Sequence, residues 1–497
     1  MAPATVADIL GAGAPSSIAL EVPDGPSFTY ARLRELVEQA ALNLAAHGVR
    51  PGDRVALVYP NGPEAVVLFL ASSSIAVACP LNSAYKEDEF RFFLSDTRAR
   101  FLLVPPGEAA AARNAAPEDA TVIDAHIDAG GCLNMTDPPS TVDSAGSSSA
   151  DETALVLHTS GTTSRPKRVP LRHRNLAASV RNIVESYELG PEDVSLCIMP
   201  LFHVHGLVAS ALAAFGSGGK VVVPVRYGPL GFGPLMKVTS PTWFSASPAP
   251  HQLILARMRQ ERPPGTERLR FVRSCSAALS PSQMAEMEAR FGVPVLEAYG
   301  MTEASHQMAS NPLPPGRRFP GSVGRGTGVG VGILDEAGKV MPTGSAAEVC
   351  VRGPNVIDGY EDNPEANSSS FVDGWFRTGD LGVLDGDGYL RLLGRIKELI
   401  NRGGEKISPR EIDEVLESHP AVAEAVSFGV PHPTWGEEVV AAVVLSAPVT
   451  EKELLAYCRQ RLADFKVPKR LHIVDAIPKT PTGKVQRRFV AEELSGR

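Results

Sequence analysis

Apolar residues follow a helical period at several places in the N-terminal part of the chain. In residues 29–49, TYARLRELVEQAALNLAAHGV, they recur at helical spacing, which predicts a helix that closes on Gly48. The short apolar run at 53–60 is typical of a buried strand, and helical patterns return at 63–76 and 86–97. Strands that alternate with helices of this length predict an α/β fold with a mostly parallel, doubly wound sheet.

The hydrophobic pattern changes in the second half of the chain. Strand-like and helix-like runs continue to alternate between residues 194 and 303, whereas after Gly321 short apolar runs separated by Gly-rich turns predict a small β-rich lobe. Beyond Arg395 a compact mixed pattern of helices and strands begins again. The sequence therefore predicts two domains, a large one over residues 1–395 and a smaller α+β domain over residues 396–497.

Composition and charge argue against several classes of protein. The net charge of −8 comes from 56 acidic and 48 basic residues spread along the chain, which disfavours a nucleic-acid-binding surface. The sequence shows no signal-peptide pattern, no apolar run of the roughly 18 residues that span a membrane, and no SKL-type peroxisomal address. The six cysteines lack the spacing of a metal site, which favours free thiols. We therefore expect a cytoplasmic monomer or homodimer that binds neither nucleic acid nor membranes.

One stretch, HTSGTTSRPKRV at residues 158–169, is rich in groups that bind anions. It follows a strand-like apolar run, and Gly161 frees the backbone so that successive N–H groups can point at one anion. Lys167 adds a positive charge, and the hydroxyl donors are Thr159, Ser160, Thr162 and Thr163. The stretch predicts a phosphate-binding loop without the Walker spacing, and the alternative is a solvated Ser/Thr-rich turn.

This stretch resembles the phosphate-binding loop of the adenylate-forming superfamily, which comprises acyl-CoA synthetases, adenylation domains and luciferases. Ser164 and Arg168 stand where that family mostly has glycine. Further blocks follow in family order: YGMTE at 299–303, TGD at 378–380, GRIKELINRGGEKISP at 394–409 and PKTPTGKVQRR at 478–488. The resemblance implies the adenylate-forming fold, with the small domain as a mobile lid, and a ligase that uses ATP, Mg²⁺ and CoA.

The resemblance also implies roles for single residues. Thr302 contacts the α-phosphate, Glu303 with Thr162 holds Mg²⁺, and Lys484 neutralises charge during adenylation. Asp380 and Arg395 clamp the ribose. The implied nucleotide-binding residues are Thr159, Ser160, Gly161, Thr162, Thr163, Lys167, Glu297, Ala298, Tyr299, Thr302, Asp380, Arg395 and Lys484, and the implied catalytic residues are Lys484, Thr302, Glu303 and His203. Lys397 is the implied pivot of the small domain, and the implied CoA tunnel is lined by Gly403, Gly404, Glu405 and Lys406.

Several of these blocks also have an ordinary structural interpretation. Without the resemblance, Tyr299 to Glu303 reads as a buried tyrosine followed by a surface carboxylate at the end of a strand. The glycine pair at 403–404 reads as a turn before a capped helix, and residues 478–488 read as a basic exposed tail.

Three departures from the general family pattern lie where the resemblance places the acyl substrate. Residues 274–279, SCSAAL, replace the SGAAPL of many relatives, which predicts a smaller pocket. Ser305 and His306 follow TEA where relatives commonly have glycine, and His205 replaces a more apolar or aromatic residue. The predicted substrate-binding residues are His203, Ser274, Ser276 and His306.

These polar groups suit a small, doubly charged acid, because a buried second carboxylate needs paired donors. The motifs are most similar to the oxalyl-CoA synthetase branch of the superfamily, which implies formation of oxalyl-CoA from oxalate, CoA and ATP through an acyl-adenylate, with release of AMP and pyrophosphate. The alternatives are a CoA ligase for another short acid such as malonate or a short fatty acid, a stand-alone adenylation enzyme that loads a carrier protein, and a non-catalytic nucleotide-binding relative. Alternatively, any of the histidines His203, His205 and His306 could be a packed side chain that does not contact the substrate.

Overall fold

The computed structural model describes residues 3–159, 166–225, 227–258, 262–479 and 485–494, and four β-sheets organise them. The largest sheet has nine strands, in the order Arg325–Gly326, His306–Ser310, Val295–Met301, Phe271–Ser274, Trp243–Ala246, Val194–Leu196, Lys220–Val222, Ile18–Glu21 and Ser27–Thr29. The second has seven, in the order Leu133–Met135, Thr121–Ile127, Phe101–Val104, Arg54–Leu57, Val77–Pro80, Thr153–Thr159 and Lys167–Arg172. The central strands of both sheets are parallel and the outer pairs are antiparallel.

The other two sheets are smaller and mostly antiparallel. One contains Gly330–Leu334, Ala346–Arg352, Trp375–Leu384, Phe371–Val372 and Leu390–Arg395. The other contains Glu405–Ile407, Ile400–Arg402, Gly436–Leu445, Val422–His432 and Arg470–Ile473. The first of these is the β-rich lobe that the short runs after Gly321 predict, and the second belongs to the mixed C-terminal pattern. A 3₁₀ turn at Ile396–Glu398 connects the two sheets, and the boundary between residues 395 and 396 stays a prediction.

Helices cover the two large sheets and both faces of the C-terminal sheet. The α-helices are Val6–Ile9, Tyr30–Ala46, Pro63–Ile75, Glu87–Thr97, Ala110–Asn114, His173–Ser186, Val204–Gly206, Ala213–Gly216, Phe232–Thr239, Pro248–Arg257, Pro281–Phe291, Pro364–Ser370, Pro409–Glu417, Glu451–Arg459 and Arg487–Leu494. Short 3₁₀ turns lie at Leu10–Ala12, Pro229–Gly231, Thr302–Ala304, Ile396–Glu398 and Asp464–Lys466. None of the helices in the described ranges is both long and apolar enough to cross a bilayer.

Local signals explain where the predicted helices begin and end. Tyr30–Ala46 starts after Thr29, whose hydroxyl accepts the N–H of Arg32, and the turn that follows it contains Gly48 in the left-handed region, at φ 94°. Pro63–Ile75 is buried on nearly all sides, as expected for a helix between two layers. The doubly wound α/β architecture is confirmed.

One predicted helix differs from a regular α-helix. The pattern GLVASALAAF at 206–215 predicts a single helix, whereas Leu207–Leu212 forms a π-helical segment between two short α-helical turns. Gly206 precedes this segment, and a side chain does not fit there because a Cβ would lie 2.3 Å from the carbonyl oxygen of Pro200. π-helical segments are frequent at functional sites, and this one follows the two histidines of the predicted pocket directly.

Candidate active site

Several of the predicted site residues lie on or directly after strands of the nine-stranded sheet, at one of its edges. The parallel strands Trp243–Ala246, Phe271–Ser274 and Val295–Met301 are neighbours, so their carboxyl ends meet at that edge. In open α/β sheets this edge is where ligands bind. The 3₁₀ turn Thr302–Ala304 continues from the third strand and carries the predicted phosphate and metal ligands.

Asp380 and Arg395 form a preassembled pair on neighbouring strands of the β-rich lobe. They are directly opposite each other in the ladder, and the Arg395 Nε lies 2.8 Å from Asp380 Oδ1. The hydroxyl of Tyr299 donates to the other carboxylate oxygen, Oδ2. Burial and the Asp380 charge hold the pKa of Tyr299 well above its ordinary value, so the phenol stays protonated. Three residues predicted to bind the nucleoside are thus brought together.

Lys167, Glu303 and Tyr360 form a second cluster beside this pair. The Lys167 Nζ lies 4.3 Å from the centre of the Tyr360 ring, and the Tyr360 hydroxyl donates to Glu303 Oε1 over 2.8 Å. Burial lowers the pKa of Lys167, Glu303 opposes the shift, and the charge of Lys397 adds to it. The predicted phosphate ligand, metal ligand and hinge lysine therefore lie close to one another. No sequence signal identified Tyr360.

Five of the predicted residues, Ser160, Gly161, Thr162, Thr163 and Lys484, lie outside the described residues. Their described neighbours are nevertheless informative. Thr159 and Lys167 are paired across two antiparallel strands, so both ends of the predicted phosphate loop are held by the seven-stranded sheet. Lys479 and Val485 form a β-bridge on either side of the segment that contains Lys484.

Arg168 is directed into an ion-pair cluster. Its guanidinium lies 3.2 Å from Asp96, 3.2 Å from Glu361 and 2.7 Å from Asp362. Because adjacent strand residues point to opposite faces, Arg168 faces away from the side occupied by Lys167. This arginine therefore connects the strand Lys167–Arg172 to the helix Glu87–Thr97 and to the segment that carries Tyr360. The substitution for glycine in the family pattern has a structural explanation.

Glu297 and Ala298 lie on the strand Val295–Met301, as expected for the wall of an adenine pocket. Ala298 pairs with Ser310, and the side chain of Glu297 is fully buried and accepts the N–H of Leu279 over 3.1 Å. Burial raises the pKa of Glu297 to about 7, and the charge of Arg410 from the C-terminal helix Pro409–Glu417 opposes the shift. The second carboxylate oxygen has no hydrogen-bond partner among the described residues.

The predicted acyl pocket contains a connected set of histidine and serine side chains. His205 Nδ1 lies 2.9 Å from Ser276 Oγ and its Nε2 lies 2.6 Å from Ser245 Oγ, while its ring centre is 5.1 Å from that of His306. Both His205 and His306 are buried. Ser276, at φ 74°, and His306, at φ 102°, occupy conformations that favour glycine, and such strain is typical of functional sites.

The other predicted pocket residues take different positions. His203 is partly exposed and caps the turn that carries His205, because its Nδ1 accepts the N–H of His205. Ser274 is fully buried, and its Oγ has no hydrogen-bond partner among the described residues. Gly300 permits the close approach of His306, since a Cβ there would lie 2.1 Å from the His306 carbonyl oxygen.

The predicted CoA segment is a tight hairpin. The strands Ile400–Arg402 and Glu405–Ile407 are joined by Gly403 and Gly404, at φ 60° and 91°, as a two-residue turn with positive φ at both positions requires. A Cβ on Gly403 would lie 2.8 Å from the ring of Trp435. Glu405 and Lys406 are exposed, so this hairpin presents its tip to solvent beside an exposed tryptophan.

The chain is similar to known proteins over most of its length. The chain is 49% identical to the oxalate–CoA ligase of Arabidopsis thaliana, over 97% of this chain and 96% of that protein. It is 43% identical to the oxalate–CoA ligase of Saccharomyces cerevisiae, over 89% and 87%, and 38% identical to the sulfoacetate–CoA ligase of Cupriavidus necator, over 93% and 92%.

Solved structures resemble the whole chain. ATP-bound MatB from Rhodopseudomonas palustris superimposes with a TM-score of 0.89 at 34% identity, covering 99% of this chain and 98% of that one. MenE from Bacillus subtilis, in complex with ATP and magnesium ion, gives 0.84 at 30% identity, covering 97% and 98%. Residues 11–361 match the AMP-binding enzyme family, and residues 411–484 match the C-terminal domain of AMP-binding enzymes. The chain belongs to the AMP-binding enzyme family.

Proposed function

We propose that this chain is an ATP-dependent oxalate–CoA ligase that forms oxalyl-CoA through an acyl-adenylate. The observation that carries the proposal is the group of buried histidine and serine side chains around His205 and His306, which lies at the same edge of the nine-stranded sheet as Thr302 and Glu303. A small dianion needs such donors when it leaves water. The identity of 49% to an oxalate–CoA ligase supports the same substrate.

In the first half-reaction a carboxylate oxygen of oxalate attacks the α-phosphorus of ATP, the bond to the β-phosphate oxygen breaks, and pyrophosphate leaves. Asp380 with Arg395 orients the ribose, Lys167 and Thr302 bind the phosphates, and Lys484 stabilises the charge that develops during attack. Donors of this kind are typically worth about 10²–10³ in rate.

Glu303 fits a magnesium site. A single buried carboxylate beside substrate phosphates is the arrangement that Mg²⁺ usually adopts, because the ion keeps several waters and needs few protein ligands. Glu303, with Thr162, would hold the ion, which supplies positive charge to the phosphates when bound. The hydrogen bond from Tyr360 keeps the Glu303 carboxylate in place.

In the second half-reaction the CoA thiol attacks the carbonyl carbon of the acyl-adenylate, and AMP leaves. The hairpin of Gly403, Gly404, Glu405 and Lys406 lines the path of the thiol. We place the domain boundary after Arg395 and the pivot at Lys397, in the 3₁₀ turn that separates the two small sheets. Rotation about this turn exchanges the Lys484 loop for the hairpin between the two steps.

A pyrophosphate-release screen tests reaction and substrate together. The panel contains oxalate, malonate, sulfoacetate, acetate, a short fatty acid and coumarate, each with and without CoA. We expect oxalate to give the highest kcat/KM and AMP release to depend on CoA. Preference for an aromatic or monocarboxylic acid would contradict the substrate, and AMP release that needs a carrier protein in place of CoA would contradict the ligase assignment.

His306 separates substrate binding from nucleotide binding. The change His306→Ala should damage the use of oxalate more than that of ATP, because the ring lies in the acyl pocket beside His205 and not in the Lys167 cluster. The KM of each substrate is measured at saturating levels of the others. An unchanged KM and kcat for oxalate would remove His306 from the substrate site.

A further inference from the structure

Arg273 is the most deeply buried charged residue of the acyl pocket and was not among the predicted site residues. It lies on the strand Phe271–Ser274 with no exposed surface, and no carboxylate of the described residues forms an ion pair with it. Its Nε donates to Tyr187 over 2.8 Å, and its Nη2 donates to Gln307 over 3.0 Å. Burial raises the pKa of Tyr187, so that phenol is a neutral partner.

The first consequence concerns the tautomer of His306. The Arg273 Nη2 lies 3.3 Å from His306 Nδ1. A guanidinium only donates and is always protonated in proteins, so Nδ1 must be the acceptor. The neutral imidazole then carries its hydrogen on Nε2, and His306 acts as an Nε2–H donor. A second proton on His306 would place two positive groups in contact.

The second consequence concerns Ser276, which is linked to Arg273 by hydrogen bonds through Ser245 and His205. Arg273 Nη1 donates to Ser245 Oγ over 3.0 Å, and the other partner of this buried hydroxyl among the described residues is His205 Nε2, at 2.6 Å. Because an unpaired buried hydroxyl hydrogen is costly, we assign it to His205 Nε2. His205 therefore carries its hydrogen on Nδ1 and donates to Ser276 Oγ over 2.9 Å. The hydroxyl hydrogen of Ser276 is left to donate in another direction.

Both paths from Arg273 thus end in a donor on a strained residue. His306 has a φ of 102° and Ser276 a φ of 74°, and both side chains contact His205. A buried cation without a counter-ion is costly unless an anion shares its surroundings. An acyl substrate with a second negative group supplies that anion, whereas a monocarboxylic acid of the same size does not.

We propose that Arg273 is a positioning residue that makes His306 Nε2–H and Ser276 O–H the donors for the second anionic group of the acyl substrate and so selects dianionic acids. The selection of substrate rests on the proposed adenylation of a small acid at this site. The assignment of the two histidine tautomers rests on hydrogen-bond geometry alone.

The tautomers are tested without any turnover. Histidine ¹⁵N chemical shifts of the full-length protein distinguish Nδ1–H from Nε2–H, with His306→Gln and His205→Gln used for assignment. We expect an Nε2–H tautomer for His306 and an Nδ1–H tautomer for His205. The opposite tautomer at either ring, or a doubly protonated ring at pH 7, would overturn the proposal whatever acid the enzyme uses.

The selection is tested with Arg273→Met, which removes the charge but keeps much of the volume, and with Arg273→Lys, which keeps the charge. We expect Arg273→Met to raise the KM for oxalate at least about 30-fold, the factor that goes with truncating one partner of a buried charge interaction. The KM for ATP should stay within about twofold by the same reasoning, because Arg273 has no contact with the nucleotide cluster. Arg273→Lys should recover part of the loss, and the preference for oxalate over acetate should fall in parallel.

Two results would overturn the selective role. One is an oxalate KM within about threefold of wild type in Arg273→Met, and the other is an equal rise in the KM for oxalate and ATP, which indicates a general structural effect. If Arg273→Met does not fold, Ser245→Ala interrupts only the path to Ser276 and should raise the KM for oxalate alone. A wild-type protein that does not turn over oxalate would refute the proposed function. The tautomer measurement would then test separately whether Arg273 positions the two histidines.

Discussion

Glu297 makes the stability of the nucleotide domain depend on pH. Its side chain is 1% exposed, one carboxylate oxygen lacks a hydrogen-bond partner among the described residues, and burial raises its pKa to about 7 from an ordinary 4.5. The folded protein therefore holds this proton more tightly than the unfolded chain does. Stability from this group is fully present below the unfolded pKa and is lost as pH rises towards the folded pKa.

The size of the effect follows from the shift. Each pKa unit corresponds to about 1.4 kcal/mol, so a shift from 4.5 to about 7 is worth about 3 kcal/mol in total, of which about 2 kcal/mol is lost between pH 5.5 and 8.5. Glu297→Gln keeps the shape of the side chain and has no proton to lose. The difference in unfolding free energy between variant and wild type should therefore move by about 2 kcal/mol in favour of the variant over that interval.

Urea unfolding followed by far-UV circular dichroism, without nucleotide, measures this difference at several pH values. Arg410→Met serves as a matched control, because the positive charge of Arg410 opposes the raised pKa of Glu297 and its removal should move the pH midpoint upwards. A difference between Glu297→Gln and wild type that is the same at pH 5.5 and 8.5 would refute the reasoning.

Three further substitutions test other parts of the structure. Tyr360→Phe removes the hydroxyl that donates to Glu303 but keeps the ring under Lys167. We expect the unfolding free energy to fall by about 1.5–3 kcal/mol and the kcat/KM for ATP to decrease. Unchanged kinetics would contradict the role of Tyr360. Arg168→Met breaks the ion pairs of a largely buried side chain. Chemical denaturation should show an unfolding free energy lower by about 3–5 kcal/mol, while the KM for ATP stays within about twofold. A selective rise in that KM would mean that Arg168 contacts phosphate. In Gly300→Ala the new Cβ meets the His306 backbone, so the substitution should displace His306. We expect turnover of oxalate to fall at least as much as that of any other acid. Wild-type kinetics would show that this close approach is unimportant.

The sequence was sufficient to predict the fold. Helices such as Tyr30–Ala46 carry their own caps and apolar stripe, and strands such as Phe101–Val104 are continuous apolar runs, so local pattern predicts them. Asp380, Arg395 and Glu303 were predicted to bind nucleotide and metal because each lies in a short block that resembles a motif of the family. The π-helical segment Leu207–Leu212 was not found, because its composition is that of an ordinary helix.

The sequence by itself therefore determined the features that depend on residues close together along the chain. These are the secondary-structure elements, their order and the motif residues. The tertiary structure alone decided which distant residues meet. Arg273, Ser245 and His205 are joined because their strands and turn converge at one sheet edge. Tyr360 reaches Glu303 from a distant segment of the chain, which Arg54 and Arg168 hold through Glu361. Hydrogen-bond direction, burial and the absence of a carboxylate partner for Arg273 among the described residues are properties of that packing, and no local pattern encodes them.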